Sequence, residues 1–136
     1  MKDFNKYSDL VKNSKIIFLS TIGKEGFPDT RAMINLENDN LKKIYFSTNT
    51  SSQKCKQIQG NNKASAYFFD DKNFLGLTLY GEIKIFQDKE TKEKFWKPGF
   101  EIYYHLGVDD PDYSVLCLEV ISGKYYANFS IEEFEI

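Results

Sequence analysis

The chain has 136 residues, of which 41% are hydrophobic, 16% aromatic and 28% charged, with two cysteines and a formal net charge of −2. This length suffices for one domain over residues 1–136, and the profile excludes collagen-like, disulfide-stabilised and disordered chains. With no membrane-length apolar run, no secretion signal and no basic excess, we expect a cytoplasmic protein that has neither a membrane nor a nucleic-acid partner.

The first half of the chain predicts a short helix and three strands. Residues 4–11 carry apolar side chains at helical spacing, which indicates a helix that covers a core. Residues 15–22 (KIIFLSTI) predict a buried strand that ends at the turn GKEG, and Pro28 opens a second strand over 29–36. Residues 42–47 (KKIYFS) predict the third strand.

The second half predicts further helices and three more strands. We expect helices at 52–59, 88–96 and near 100–106, and strands at 63–69, 74–86 and 113–127. Gly76 and Gly81 inside the long strand predict bulges or sharp bends, as at barrel corners. Six such strands with short helices favour a small closed or nearly closed barrel. Closure pairs the backbone groups that would otherwise be exposed at the sheet edges and promote aggregation.

A barrel of this size restricts where a ligand can bind. About eight strands are needed before a barrel interior can hold even a small ligand, so six strands enclose only their own side chains. A sizeable ligand must therefore lie against the outer wall and its loops. A planar ligand there needs a second wall, and a second copy of the chain is the simplest one.

The segment STNTSSQK (47–54) is rich in hydroxyl groups and joins the third strand to a helix start. Backbone N–H groups at a helix start attract anions, and short hydroxyl side chains can donate to phosphate oxygens. Lys54 adds a positive charge in the first turn. The simpler alternative is a polar turn with a serine N-cap, which is a common arrangement.

Arg31 is the only arginine among 18 basic residues and lies mid-strand among apolar neighbours. Its planar fork can bind a phosphate through two hydrogen bonds, which a lysine cannot copy. If strands two and three pair, the guanidinium approaches the 47–54 loop and forms a phosphate-sized site. The alternative is a surface ion pair with a carboxylate on an exposed barrel face.

Other candidate residues favour structural roles. His105 is the only histidine, which excludes a metal site built on several histidines. Asp109, Asp110 and Asp112 fit a turn better than a metal cluster. Cys55 lies near a helix start, which can lower a thiol pKa, but a half-buried core position is favoured. We therefore assign no catalytic and no metal-binding residue.

Four segments in order carry a resemblance to a known family: FLSTIGKEGFPDTRAM, IYFSTNTSSQKCKQI, LTLYGEIKIF and KFWKPGFEIYYHLGVDDPDYSVLCLEV. They resemble the FMN-binding split-barrel family related to pyridoxamine 5′-phosphate oxidase, in its general stress protein branch. The similarity covers about residues 14–126 and depends on the order and spacing of the segments. It implies a mainly β, six-stranded Greek-key split barrel with a few short peripheral helices, and a homodimer that holds FMN at its interface.

The resemblance also implies which residues bind FMN. They are Arg31, Ala32, Met33, Ile34, Ser47, Thr48, Ser52, Gln53, Lys54 and Trp96. Arg31 and Lys54 would bind the phosphate, the loop would donate hydrogen bonds, and the backbone after the arginine would lie beside the flavin ring. Trp96 could stack near the flavin, although core packing is favoured by the area that an indole buries.

The sequence departs from the family pattern at three positions. Gln53 replaces a second basic residue before the lysine, Gly76 stands where the oxidase has a glutamine, and Tyr126 stands where the stress-protein branch often has a tryptophan. The segment ANFSIEEFEI lacks the arginine and histidine with which the oxidase binds its substrate's phosphate. Oxidation of vitamin B6 phosphates is therefore not expected.

The resemblance implies an oxidoreductase that passes electrons through FMN from NAD(P)H to a small acceptor, in a stress-related role. A flavin supplies its own redox chemistry, so such a protein needs no catalytic triad or carboxylate pair. Two alternatives stay open. One is a flavin-binding or sensing module without turnover, and the other is a split barrel that has lost flavin and binds another partner.

Overall fold

A computed structural model describes residues 4–136 and contains all six predicted strands. The strands are β1 (Ile16–Ile22), β2 (Pro28–Ile34), β3 (Lys43–Asn49), β4 (Lys63–Asp70), β5 (Leu75–Phe86), β6 (Tyr113–Ala127) and β7 (Ser130–Glu135). The helices are α1 (Phe4–Asn13), α2 (Gln53–Gly60) and α3 (Lys89–Phe95). The helix expected near 100–106 is replaced by two short 3-10 turns, Phe100–Ile102 and Gly107–Asp109.

The strands form one curled antiparallel sheet in the order β2-β1-β4-β5-β6-β3, which confirms the predicted mainly β split barrel. β2 and β3 are the two ends of this path and share no ladder of hydrogen bonds. The barrel is therefore open between them. The pairing of strands two and three, under which Arg31 was expected to reach the loop, does not occur.

A seventh strand, β7, extends the sheet beyond the six predicted strands. The first half of the long strand β6 pairs with β3, and its second half, Ser122–Ala127, pairs with β7. The sequence SIEEFE does not predict a strand, because Phe134 is the only residue of this segment that is buried. A strand with a single inward apolar side chain lacks the alternation by which strands are recognised.

The long strand β5 bends at one of the two glycines that were expected to bend it. The β5–β6 register shifts between Tyr80 and Gly81. A Cβ atom at Gly81 would collide with the backbone of Glu119, so the bulge requires glycine there. Gly76 lies in unbroken register, and its predicted bulge is wrong.

The inside of the curled sheet is filled by the protein's own side chains, as expected for a barrel of this size. Its fully buried members include Ile17, Leu19, Phe46, Phe68, Leu77, Leu79, Leu116 and Leu118. Helix α1 adds Tyr7, Leu10 and Val11 to this core. Within residues 4–136, no helix is both long enough and apolar enough to cross a membrane.

Candidate functional site

Arg31 is held by β1 and α2, not by β3. Its Nη1 donates to Thr21 Oγ1 at 2.7 Å and to Leu19 O at 3.3 Å. Its Nη2 donates to Gln57 Oε1 at 3.4 Å. Among the described residues the guanidinium forms no ion pair, so the surface-pair alternative does not hold. Three of its five N–H groups are engaged, and Nε–H is one of the two that remain for a ligand.

Lys54 lies in the first turn of α2, and its ammonium group reaches back to the loop. Its Nζ donates to Thr48 Oγ1 at 2.9 Å, and Thr48 itself is buried. Ser52 is the N-cap of α2, but its hydroxyl makes no capping hydrogen bond and lies 3.5 Å from Thr48 Oγ1. The position expected for a serine N-cap is therefore present without its side-chain hydrogen bond, and the neighbouring Gln53 is exposed.

The two cations lie close enough to influence each other. Burial lowers the pKa of Lys54, and the positive charge of Arg31 lowers it further. Burial also lowers the pKa of Arg31, which the carboxylate of Asp29 partly offsets. Two partly buried cations in proximity disfavour each other's charge, and an anion bound between them relieves both effects. We call Arg31, Lys54 and Thr48 the cation site.

No sequence pattern singled out the residues that hold Arg31 against α2. The hydroxyl of Thr21, which is fully buried, donates to Gln57 Oε1 at 2.6 Å. Gln57 Nε2 donates in turn to Asp29 Oδ2 at 2.7 Å. Gln57 follows Lys54 by three positions and so lies on the same side of the helix. That spacing is the one sequence signal that could have identified it.

The loop before α2 is fixed by the start of β6. Asp112 accepts from Asn49 Nδ2 at 2.9 Å and from the Ser51 N–H at 2.8 Å. These hydrogen bonds lower the pKa of Asp112, and the bond from the Ser51 N–H has the largest effect. Asp110 accepts from the Asp112 N–H, as expected of a turn. Nowhere in residues 4–136 do three or more His, Cys, Asp or Glu side chains form a group that could hold a metal ion.

Trp96 packs against a second, smaller cluster whose buried members are Leu36, Phe100, Tyr104, Tyr113 and Val115, and Ser47 contacts this cluster through Tyr104. Ser47 and Thr48 are adjacent on β3 and therefore point to opposite faces, and Ser47 interacts with the phenol of Tyr104. Trp96 packs against Tyr113 with ring centroids 5.3 Å apart and against Tyr104 at 6.0 Å. The structure thus shows core packing for Trp96 and joins neither residue to the cation site.

The backbone of β2 is open beside the guanidinium. The Asn35 N–H donates to Lys15 O at 3.0 Å, which fixes the alternation of hydrogen-bonded pairs along β1 and β2. The Met33 backbone accordingly bonds to β1, whereas the N–H and C=O groups of Ala32 and Ile34 face the open edge. The Met33 side chain is buried, and the side chains of Ala32 and Ile34 point outwards.

The outer surface of the sheet carries a continuous apolar patch. Cross-strand pairs join Ile16 to Ile34 and Phe18 to Tyr67. A chain of ring contacts with centroids 5.4–6.1 Å apart continues from β4 through Phe74, in the turn before β5, to β6. The patch, here called the outer apolar face, consists of Ile16, Phe18, Ile34, Tyr67, Phe69, Phe74, Tyr126 and Ile131. Patches of this kind mark interaction surfaces.

Two of the positions that depart from the family pattern meet in this face. Gly76 lies directly opposite Tyr126 in the β5–β6 ladder. A Cβ atom at Gly76 would collide with the hydroxyl of Tyr67, which lies over the glycine. The space above residue 76 is therefore occupied by a tyrosine from the neighbouring strand.

Comparisons with known proteins relate nearly the whole chain to one family. A family model described as pyridoxamine 5′-phosphate oxidase like matches residues 2–133. A pyridoxine/pyridoxamine 5′-phosphate oxidase of Legionella pneumophila (strain Lens) is 27% identical over 134 residues, which cover 94% of this chain and 60% of that protein. The chain therefore spans less than two thirds of that relative's length.

Solved structures show the same fold. A Clostridium acetobutylicum protein related to general stress protein 26 of Bacillus subtilis, of the pyridoxinephosphate oxidase family, is 44% identical with a TM-score of 0.87. The match covers 96% of this chain and 92% of that one. The general stress FMN/FAD-binding protein of Xanthomonas citri is 20% identical with a TM-score of 0.75, over 93% of this chain and 89% of that one.

Proposed function

Because the chain belongs to the pyridoxamine 5′-phosphate oxidase-like family, we propose that it is a flavoprotein that binds FMN through the cation site. The observation that carries the proposal is the electrostatic proximity of two partly buried cations beside α2. Arg31 donates to Gln57 of α2, and Lys54 in the first turn of α2 donates to Thr48. Such a group of donors suits a phosphate monoester. A Xanthomonas citri protein of the same fold is described as binding FMN or FAD, which supports a flavin as the ligand.

The rest of the cofactor would follow β2 away from the phosphate. The open backbone groups of Ala32 and Ile34 offer hydrogen bonds to the polar edge of a planar ring. Met33 anchors the strand in the core, so this edge is held in place. Ser52 and Gln53 flank the phosphate end at the start of α2. For Ser47 and Trp96 we propose no direct contact with FMN. They would only stabilise the loop, through their contacts with the second cluster.

The proposal includes a homodimer with the flavin at its interface. The outer apolar face lies on the same sheet as the open edge of β2, and Ile34 belongs to both. Covering this face with a second copy removes exposed apolar side chains from water. The second copy would also supply the second wall that a planar ring needs.

Oxidoreduction is the activity that we propose for the bound flavin. The cofactor supplies the redox chemistry, taking electrons from NAD(P)H and delivering them to a small acceptor. The residues of this chain bind the phosphate, orient the ring and exclude water from one of its sides. No side chain has to act as a general acid or base for this role.

The visible absorption spectrum of the purified protein, with FMN and riboflavin titrations, tests the proposal. We expect tight binding of FMN and at least about tenfold weaker binding of riboflavin, which lacks the phosphate. Reduction of the bound flavin by NADH or NADPH faster than that of free flavin supports the oxidoreductase. Binding without faster reduction indicates a non-turnover module, and failure to bind FMN overturns the proposal.

We expect the affinity for FMN to fall as the pH rises through the alkaline range. The pKa of Lys54 is lowered in the empty site by burial and by Arg31, and a bound phosphate would raise it. Binding is therefore strongest below the pKa of the empty site and weakens between that pKa and the higher pKa of the complex. Fluorescence titrations from about pH 7 to about pH 10 measure this loss.

The matched control for the pH series is Lys54→Arg, because a guanidinium stays protonated throughout this range. The variant should bind FMN with a much flatter pH dependence. Deprotonation of the flavin itself would affect both proteins equally. An identical slope in both proteins would show that Lys54 does not contact the phosphate.

A further inference from the structure

We infer that Gln57 is a positioning residue that holds the Arg31 guanidinium ready for a phosphate, and that Asp29 fixes the orientation of the Gln57 amide. This inference rests on the proposed function of the cation site. Gln57 touches Arg31 through a hydrogen bond and would act on the ligand only through the arginine.

The partners of Gln57 determine which way its amide points. Nε2 donates to the Asp29 carboxylate at 2.7 Å. Oε1 therefore faces the other way, where it accepts from the Thr21 hydroxyl at 2.6 Å and from Arg31 Nη2 at 3.4 Å. A flipped amide would set its oxygen against the carboxylate and its NH₂ group against the guanidinium. The carboxylate thus selects the orientation in which the amide can hold the arginine.

The contacts hold the guanidinium at one end and leave the other end open. Leu19 O and the Thr21 hydroxyl take both hydrogens of Nη1, and Gln57 is the one described acceptor for Nη2. Nε–H and one Nη2 hydrogen have no acceptor among the described residues and remain for a ligand. An unrestrained arginine side chain has several rotatable bonds and loses conformational entropy when a ligand fixes it. Contacts that already hold the guanidinium before the ligand binds reduce this cost.

Helix α2 therefore supports the cation site in two ways. Lys54 contributes its charge directly from the first turn, and Gln57 contributes one turn later by restraining the other cation. The alternative is that Gln57 only fastens α2 to the sheet through Thr21 and Asp29. A purely fastening role would affect the stability of the fold and would not distinguish a phosphorylated ligand from an unphosphorylated one.

The test compares Gln57→Met, which keeps the length of the side chain without its hydrogen bonds, with Gln59→Met on an exposed part of the same helix. Affinities for FMN and riboflavin are measured in both variants. We expect Gln57→Met to weaken FMN binding about 3- to 10-fold and to leave riboflavin binding unchanged. Gln59→Met should change neither. An equal loss for both ligands would overturn the inference.

A double-mutant cycle with Arg31→Ala separates positioning from an independent contribution. If Gln57 acts through the arginine, Gln57→Met should cost no further FMN affinity once Arg31 is absent. The same fold-loss in both backgrounds would overturn the inference. Gln57→Asn keeps an amide that is one methylene too short to reach Asp29 and Arg31 together, and it replaces the methionine variant should that protein fail to fold.

A measurement without flavin keeps this inference separate from the proposed function. Arg31 is the only arginine, so its guanidinium gives a single set of NMR signals. In the flavin-free protein, Gln57→Met should speed guanidinium rotation and Nε–H exchange, and Gln59→Met should not. Wild-type protein that fails to bind FMN would refute the proposed function alone. Unchanged guanidinium signals in Gln57→Met would refute the positioning role.

Discussion

Replacing Arg31 with alanine is expected to lower the affinity for FMN by about 10- to 150-fold. The loss corresponds to about 1.5–3 kcal/mol, the usual contribution of a hydrogen bond to a charged group. Arg31 is the chain's only guanidinium, and Lys54 cannot supply the same two-pronged contact. Titration of the flavin-free protein at fixed ionic strength measures the effect.

Two controls locate this loss at the phosphate. Riboflavin affinity should be the same in wild-type protein and Arg31→Ala, because riboflavin lacks the phosphate that the guanidinium is proposed to bind. Arg31→Lys keeps the charge without the fork and should fall between the two proteins. Thermal unfolding without flavin reports whether the loss of the Thr21 and Leu19 contacts disturbs the fold. Wild-type FMN affinity in a folded Arg31→Ala protein would remove the arginine from the site.

Most strands of this fold could be predicted because their pattern is local. The run KIIFLSTI and the long β5 segment carry enough β-branched and apolar residues to be recognised without their partners. β7 could not be predicted, because it is held by backbone pairing with β6 and buries only Phe134. The opening between β2 and β3 was also beyond local patterns, since strand order depends on contacts between distant segments.

The sequence pointed to the charged residues of the candidate site but not to the polar residues that hold them in place. Arg31 and Lys54 stood out by residue type and by position at a strand and a helix start. Thr21 and Gln57 are ordinary polar residues whose role appears only when β1 and α2 meet. Strand alternation alone would have placed Ser47 and Thr48 on opposite faces of β3, so only one of them could face the cation site.

The Phe69→Asp variant is expected to convert the proposed homodimer into a monomer. Phe69 lies within the outer apolar face, where its ring stacks on Tyr67 and meets Phe74 edge-on. Its side chain is 38% exposed in the single chain, so a carboxylate there remains hydrated and the subunit should still fold. Covered by a second copy, the carboxylate would be buried without a partner at a cost of about 3 kcal/mol or more per subunit.

Because both subunits carry the change, the total cost of about 6 kcal/mol raises the dimer dissociation constant by about 10⁴-fold or more, which sedimentation velocity over a range of concentrations can measure. FMN affinity should fall together with the dimer, and excess FMN should restore part of it, because a ligand held between two copies favours their association. The matched control is Ile102→Asp, an exposed apolar position on a 3-10 turn outside the sheet, which should stay dimeric. A dimeric Phe69→Asp protein would put the interface on another surface, and the second wall of the flavin site would then have to come from elsewhere.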